Sequence, residues 1–142
     1  MQVRLANDND IEAINKLEQD SFTDAWSEAL ISNMFSNSFD TIMVLEDEGE
    51  IIGYINYRDI GGDVDLMALC IAKEHRGNGY SKLLMDSLMA HPCKQIILEV
   101  RDSNIVAQNL YESYGFAKYA RRKDYYTSPI EDAIIMIYKH SS

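Results

Sequence analysis

The chain has 142 residues, 46% of them hydrophobic and 25% charged, with a formal net charge of −10 at pH 7. This length and balance predict one globular domain, residues 1–142, that buries a core of its own. The acidic charge argues against direct binding of nucleic acid, because a phosphate backbone requires a basic surface. It would suit a cationic substrate, although acidity for solubility alone is the simpler interpretation.

Neither a membrane nor a metal is expected as a partner. No apolar run is long enough to span a bilayer, and the start MQVRLANDND lacks a secretion signal, so we expect a cytoplasmic protein. The two cysteines, Cys70 and Cys93, match no disulfide framework or metal motif, and the three histidines lack ligand spacing. Cys70 lies in an apolar run and is expected to be a buried, small side chain.

The predicted elements begin with a strand at residues 2–5. Asp8 or Asp10 can cap a helix that continues to about Asp20, and residues 25–35 predict a second helix. The apolar side of that second helix would comprise Trp26, Leu30, Met34 and Phe35.

A hairpin follows, since β-rich segments at 41–46 and 50–60 flank a turn that carries a glycine. Next come a strand at 63–72, a helix ending near Ala90 and a strand at 94–101.

The chain finishes with a helix at 103–114, closed by Gly115 as a left-handed cap, and with strands at 116–126 and 131–140. The element order is therefore βααβββαβαββ. It predicts the α/β (α+β) class, with a mixed central sheet of about seven strands flanked by about four helices.

The loop between strand 63–72 and the next helix reads EHRGNGYSKLLM at residues 74–85. A helix N-terminus offers unpaired N–H groups to an anion, and Gly77 and Gly79 would let the backbone approach it closely. The Walker motif is absent, and the dinucleotide fingerprint would need a glycine at Lys82. By pattern alone, a plain turn is somewhat favoured over a phosphate site.

Two further stretches carry side chains that could serve a reaction. Alternation in strand 94–101 places Glu99 on the face opposite residues 96, 98 and 100. A lone strand glutamate commonly faces solvent; the alternative is a general base whose pKa is tuned by burial.

Helix 103–114 has a predicted buried stripe, in which tyrosines are more commonly core residues than catalysts. The stripe comprises Ala107, Leu110, Tyr111 and Tyr114. Asn104, at the helix start, is most simply a cap.

Four stretches, LMALCIA, RGNGYSKLL, IILEV and SNIVAQNLYESYGF, occur in the order found in one family. Together they resemble the Gcn5-related N-acetyltransferases (GNAT), whose fold would also account for the element order. The R-x-x-G-x-G/A pattern of that family appears at residues 76–81, with Ser81 where the family has glycine or alanine. This resemblance reverses the preference for a plain turn.

A narrower resemblance is to the bacterial ribosomal-protein alanine N-acetyltransferases (the RimI type). It rests on LEVRDSNIVAQNLYESYGF, on the tail RRKDYYTSPIEDAIIMIY and on FTDAWS, where Ala25 replaces a frequent proline. It implies direct transfer from acetyl-CoA, without a metal, to the N-terminal alanine of the eighteenth small-subunit ribosomal protein. Another amine (a lysine side chain, a polyamine or a drug) and a non-catalytic acyl-CoA-binding module remain alternatives.

The same resemblance implies roles for individual residues. Glu99 would be the general base, Tyr111 the general acid, and Asn104 would meet the cofactor near its reactive end. Backbone groups of the strand before the loop would contact the acetyl and pantetheine arm; they belong to Leu69, Cys70 and Ile71. The loop would hold the pyrophosphate; its residues are Arg76, Gly77, Asn78, Gly79, Tyr80, Ser81 and Lys82.

Residues on the acceptor side are less determined. Tyr125 and Tyr126 could line the acceptor groove or simply pack between the last strands. A basic substrate could be attracted by three acids, although solvated surface positions are the commoner case. These acids are Asp24, Glu28 and Glu131.

Overall fold

The computed structural model describes residues 1–22 and 25–140. Over these residues the chain forms seven strands, four α-helices and two short 3-10 turns. The strands are β1 (Gln2–Leu5), β2 (Asp40–Asp47), β3 (Glu50–Ile60), β4 (Asp63–Ile71), β5 (Gln95–Arg101), β6 (Ala117–Thr127) and β7 (Ile130–Lys139). The helices are α1 (Ile11–Ser21), α2 (Glu28–Phe35), α3 (Ser81–Met89) and α4 (Ile105–Ser113).

The strands form a mixed sheet in the order β1-β2-β3-β4-β5-β7-β6. β4 and β5 pair in parallel from Asp63↔Gln95 to Asp65↔Ile97, as expected for two strands joined through a helix. The other ladders with a defined register are antiparallel. The predicted class, strand number and element order are therefore confirmed. The longest α-helix of the described residues has 11 residues, too few to cross a bilayer.

The chain divides into two compact units by its internal contacts. The first comprises Met1–Arg58 and Met67–Pro92, and the second comprises Asp59–Leu66 and Cys93–Ser142. The prediction that residues 1–142 form a single domain stays a prediction.

The first unit has a core to which α1, α2, β2, β3 and the end of β4 contribute. Its buried members are Ile14, Leu17, Ile31, Met34, Ile42, Val44, Tyr54, Cys70 and Ala72. The predicted apolar side of α2 is wrong at Leu30, which is 43% exposed, while Ile31 is buried. Ser27 caps the helix, with its hydroxyl oxygen accepting from the N–H of Leu30 at 3.2 Å. Trp26 therefore precedes the helix and does not define its apolar side, which is marked instead by buried Ile31 and Met34.

The start of α1 also differs from the prediction. Asp10 is the N-cap residue of α1, but its side chain makes no cap bond to this helix. Asn7 instead caps the preceding 3-10 turn (Asp8–Asp10), and its Oδ1 accepts from the N–H of Asn9 at 2.9 Å. The Asp10 carboxylate completes a capping box around that turn by accepting from the N–H of Asn7 at 2.9 Å, and it accepts two hydrogen bonds from the Arg4 guanidinium, at 2.9 and 3.0 Å. That guanidinium keeps the pKa of Asp10 below its usual range.

In the second unit, the inward face of β5 comprises Ile96, Leu98 and Val100, all buried as the alternation predicts. The C-terminal cap of α4 is confirmed, because Gly115 has a φ of +95°. β6 is exposed along its length except at Tyr126, consistent with its position at one edge of the sheet.

Candidate active site

The loop that follows β4 has the backbone conformation that its glycines predict. Gly77 and Gly79 have φ values of +82° and +77°. A Cβ atom at either position would meet nothing within 4 Å. The glycines are therefore required for the left-handed conformation and not for lack of space.

The start of α3, directly after this loop, lacks the chemical features that occupy other helix starts. Ser27 and Asn104 cap α2 and α4 with side-chain oxygens, and Glu12 lies in the first turn of α1. Among the described α-helices, α3 alone has neither a capping side-chain bond nor an acidic residue in its first turn. No side chain of this kind therefore compensates its N-terminal dipole, which suits an anion.

Arg76, the first residue of the predicted pyrophosphate loop, uses its side chain for hydrogen bonds within the protein. Its Nε donates to the carbonyl of Ile71 at 2.9 Å, and its Nη2 donates to Ser21 Oγ at 2.9 Å. The same hydroxyl accepts a hydrogen bond from Cys70 Sγ at 3.0 Å. The loop is thereby tied to the end of β4 and to the last residue of α1.

The end of β4 packs closely against a glycine of β3 that the sequence analysis missed. A Cβ on Gly53, in β3, would lie 2.9 Å from the carbonyl oxygen of Cys70 and 2.7 Å from Ile71 Cδ1. Only glycine therefore allows this approach of the two strands. A glycine inside a β-pattern is the signal that could have indicated it. Cys70 is 4% exposed, as predicted, and burial raises the pKa of its thiol.

Glu99 lies on the exposed face of β5. Its Oε1 is 3.5 Å from Arg122 Nη1, and a hydrogen bond with this carboxylate raises the pKa of Tyr125. The Arg122 guanidinium also lies over the ring of Tyr125, 5.4 Å from its centroid. The position faces solvent, so a role as base would depend on these two polar neighbours and not on burial.

Tyr111 is buried on α4 and is 8% exposed. Its ring packs against that of Phe116, with centroids 5.8 Å apart. Burial, with a smaller contribution from a charge on Tyr126, raises the pKa of Tyr111 to about 12. The phenol therefore keeps its proton at neutral pH.

Asn104 is the N-cap of α4, as predicted, and its Oδ1 accepts from the N–H of Ala107 at 3.1 Å. Leu69 is partly buried at the end of β4. Of the predicted site residues, the structure thus groups Leu69 to Lys82 in the first unit, and it groups Glu99, Asn104 and Tyr111 in the second.

Residues 11–116 match the profile of the acetyltransferase (GNAT) family. The chain belongs to this family. Its members use acetyl-CoA and belong to the acyltransferase class of enzymes.

Sequence and structure relatives agree with this assignment. The chain is 31% identical over 144 residues to an uncharacterized N-acetyltransferase from Methanocaldococcus jannaschii, covering 98% of this chain and 92% of that protein. It is 29% identical over 136 residues to the ribosomal protein bS18-alanine N-acetyltransferase of Haemophilus ducreyi, covering 91% and 93%. The crystal structure of the ribosomal-protein-S18-alanine N-acetyltransferase from Escherichia coli matches with a TM-score of 0.92 and 25% identity, covering 99% and 94%.

On the predicted acceptor side of this acetyltransferase, the side chains are engaged with one another. The Arg101 guanidinium lies 4.3 Å from the ring centroid of Tyr126 and donates to Glu131 Oε1 at 3.2 Å. The other Glu131 oxygen accepts from the N–H of Ser103 at 2.6 Å. Both carboxylate oxygens of Glu131 thus accept hydrogen bonds within the protein. Glu28 is exposed in the first turn of α2. Asp24 lies outside the described residues.

Gln108 is a second residue of this acetyltransferase that the sequence analysis missed. It is 3% exposed on the inward stripe of α4, and its Nε2 donates to the carbonyls of Arg101 and Asp102 at 3.0 Å each. It therefore fixes the end of β5 against the helix that carries Tyr111. A template that counts only apolar residues passes over such a position.

At one place in the described residues, three side chains of the kinds that bind metal ions lie close together. Ligand atoms of Glu50, Glu74 and His75 lie within 4.8 Å of one another. Both glutamates are exposed and His75 is partly buried, and none of the three belongs to the predicted catalytic set.

Proposed function

We propose that this acetyltransferase moves an acetyl group from acetyl-CoA to the α-amine of a protein N-terminus, with the N-terminal alanine of ribosomal protein bS18 as its acceptor. The choice of acceptor is supported by the Haemophilus ducreyi and Escherichia coli relatives, whose names specify that alanine. The observation that carries the proposal is the presence, in one unit, of a solvent-facing carboxylate at Glu99 and a buried, protonated phenol at Tyr111.

The donor half of the proposal depends on the loop and on α3. Acetyl-CoA supplies an activated thioester and carries a pyrophosphate. Left-handed Gly77 and Gly79, followed by a helix start without a capping side chain, fit a doubly charged anion. The loop residues Gly77 to Lys82 would hold this pyrophosphate, and backbone groups of Leu69, Cys70 and Ile71 would contact the acetyl and pantetheine arm.

Glu99 would accept a proton from the attacking amine. An α-amino group titrates near pH 8, whereas a lysine side chain titrates near 10.4, so a modest base is sufficient for an N-terminal acceptor. The neutral nitrogen then attacks the thioester carbon, the C–N bond forms, and the C–S bond breaks. Arg122 and Tyr125, which contact Glu99 in the structure, would hold its carboxylate in place.

Tyr111 would stabilise the departing sulfur. A thiol titrates near 8.5, whereas the pKa of Tyr111 is raised to about 12. Complete transfer of the phenolic proton is therefore uphill by roughly 5 kcal/mol, and a hydrogen bond from the hydroxyl to the developing thiolate is favoured. The attached nitrogen gives up its remaining excess proton as the amide forms, the thiolate takes up one proton through solvent, and the proton held on Glu99 returns to solvent.

The test is acetylation of a peptide with the N-terminal sequence of bS18, followed by mass spectrometry and free-thiol release. The same peptide with a blocked α-amine is the control. Acetylation of the free peptide alone supports the proposal, whereas equal acetylation of both would indicate a lysine side chain. Tight acetyl-CoA binding without thiol release, with peptides, polyamines and drug amines alike, would indicate a binding module.

A further inference from the structure

Ser21, the last residue of α1, joins two parts of the chain that the proposed function assigns to acetyl-CoA. Its Oγ accepts from Arg76 Nη2 at 2.9 Å and from Cys70 Sγ at 3.0 Å. A serine hydroxyl has two acceptor lone pairs, so both bonds can form together. One atom therefore connects the start of the loop with the end of β4.

Arg76 completes this connection from the other side. Its Nε donates to the carbonyl of Ile71, the residue that ends β4, at 2.9 Å. The guanidinium therefore bridges strand and helix with a planar fork that no lysine can reproduce. Because two of its N–H groups are used within the protein, these groups are not directed at a phosphate.

We propose that Ser21 is a positioning residue for acetyl-CoA, acting through Arg76 to set the conformation of the pyrophosphate loop. This inference rests on the proposed function. Arg76 was expected to bind the cofactor. In this proposal its side chain instead links the loop to the end of β4 and to Ser21 through hydrogen bonds. The pyrophosphate itself would then be bound by backbone N–H groups of residues 77–82 and by the start of α3.

The first experiment measures KM for acetyl-CoA in a double-mutant cycle. Ser21→Ala removes the acceptor, and Arg76→Lys keeps the charge but removes the fork. Each should raise KM about three- to tenfold with kcat little changed, as expected for loss of one typical hydrogen bond. The double variant should raise KM by clearly less than the product of the two single effects, because both changes break the bond between Ser21 and Arg76. Additive effects would overturn the proposal.

The second experiment separates loop positioning from general stability. Acetyl-pantetheine carries the same thioester but no pyrophosphate. Ser21→Ala should raise its KM by less than about twofold, whereas the acetyl-CoA KM rises. An equal increase with both donors, or a lowered unfolding midpoint without any change in the KM ratio, would show a merely structural role and refute the proposal.

Two variants serve as matched controls. Ser21→Thr retains the hydroxyl and should restore a KM close to that of the wild type. Ser113→Ala removes an exposed hydroxyl on α4 that bonds to the Leu110 carbonyl and should leave KM unchanged. Failure of the proposed function is recognised separately, because the wild type itself would then release no thiol from acetyl-CoA with any amine.

Discussion

Glu18 on α1 is a buried carboxyl group whose ionisation the fold opposes. The side chain is 2% exposed, and its Oε1 has no hydrogen-bond partner within the described residues. The backbone N–H of Trp26 reaches Oε2 only at 3.5 Å. Burial raises the pKa of Glu18 from 4.5 to about 7, and the Trp26 N–H offsets a smaller part of this effect.

The effect on stability has a definite sign. Between pH 4.5 and about 7 the native state holds the proton, whereas the unfolded chain has released it, so stability falls as the pH rises. At about 1.4 kcal/mol per pH unit, this loss of stability accumulates to about 3 kcal/mol. The stabilisation that comes from protonated Glu18 is therefore fully present below pH 4.5 and lost above about 7.

Glu18→Gln removes the ionisation and keeps the shape of the side chain. We expect its free energy of unfolding, relative to that of the wild type, to increase by up to about 3 kcal/mol between pH 4.5 and pH 8, so that the variant becomes the relatively more stable protein. Urea unfolding of both proteins at several pH values measures this, since the other titrating groups cancel in the difference. Glu12→Gln, an exposed change on the same helix, controls for replacing a glutamate in α1. If the difference in free energy of unfolding between Glu18→Gln and the wild type does not vary with pH, the reasoning is refuted.

Four further substitutions test the site. Glu99→Gln should lower kcat/KM about 100-fold or more while calorimetry shows unchanged acetyl-CoA binding; a smaller loss would exclude it as the base. Tyr111→Phe should lower kcat with little change in the acetyl-CoA KM, and a fall in thermal stability alone would identify a core residue. Gly79→Ala, at a φ of +77°, should cost about 1 kcal/mol of stability and weaken acetyl-CoA binding; unaltered binding would contradict the proposed role of the pyrophosphate loop. Gly53→Ala should lower the unfolding midpoint, because its Cβ would meet the Cys70 carbonyl at 2.9 Å; an unchanged midpoint would show that β3 yields.

Much of the candidate site could be predicted because its signals are local. The period-2 alternation of β5 placed Glu99 on the outer face, and the glycines marked the left-handed loop and the end of α4. Asn104 was recognisable as a cap because a cap bonds to a backbone group three residues away. Assigning reaction roles to these positions needed a family resemblance as well, since a strand glutamate and a helix tyrosine are ordinary in isolation.

The sequence by itself determined the order and type of the elements, because hydrophobic period, glycine and capping residues act over a few positions of the chain. The tertiary structure decided what depends on distant partners. Arg76 donates a hydrogen bond to Ser21, 55 positions away, and the close approach of β4 to β3 requires a glycine at Gly53. Glu18 acquires its raised pKa from the core that closes over α1, and burial of this kind exists only once those separated segments have packed together.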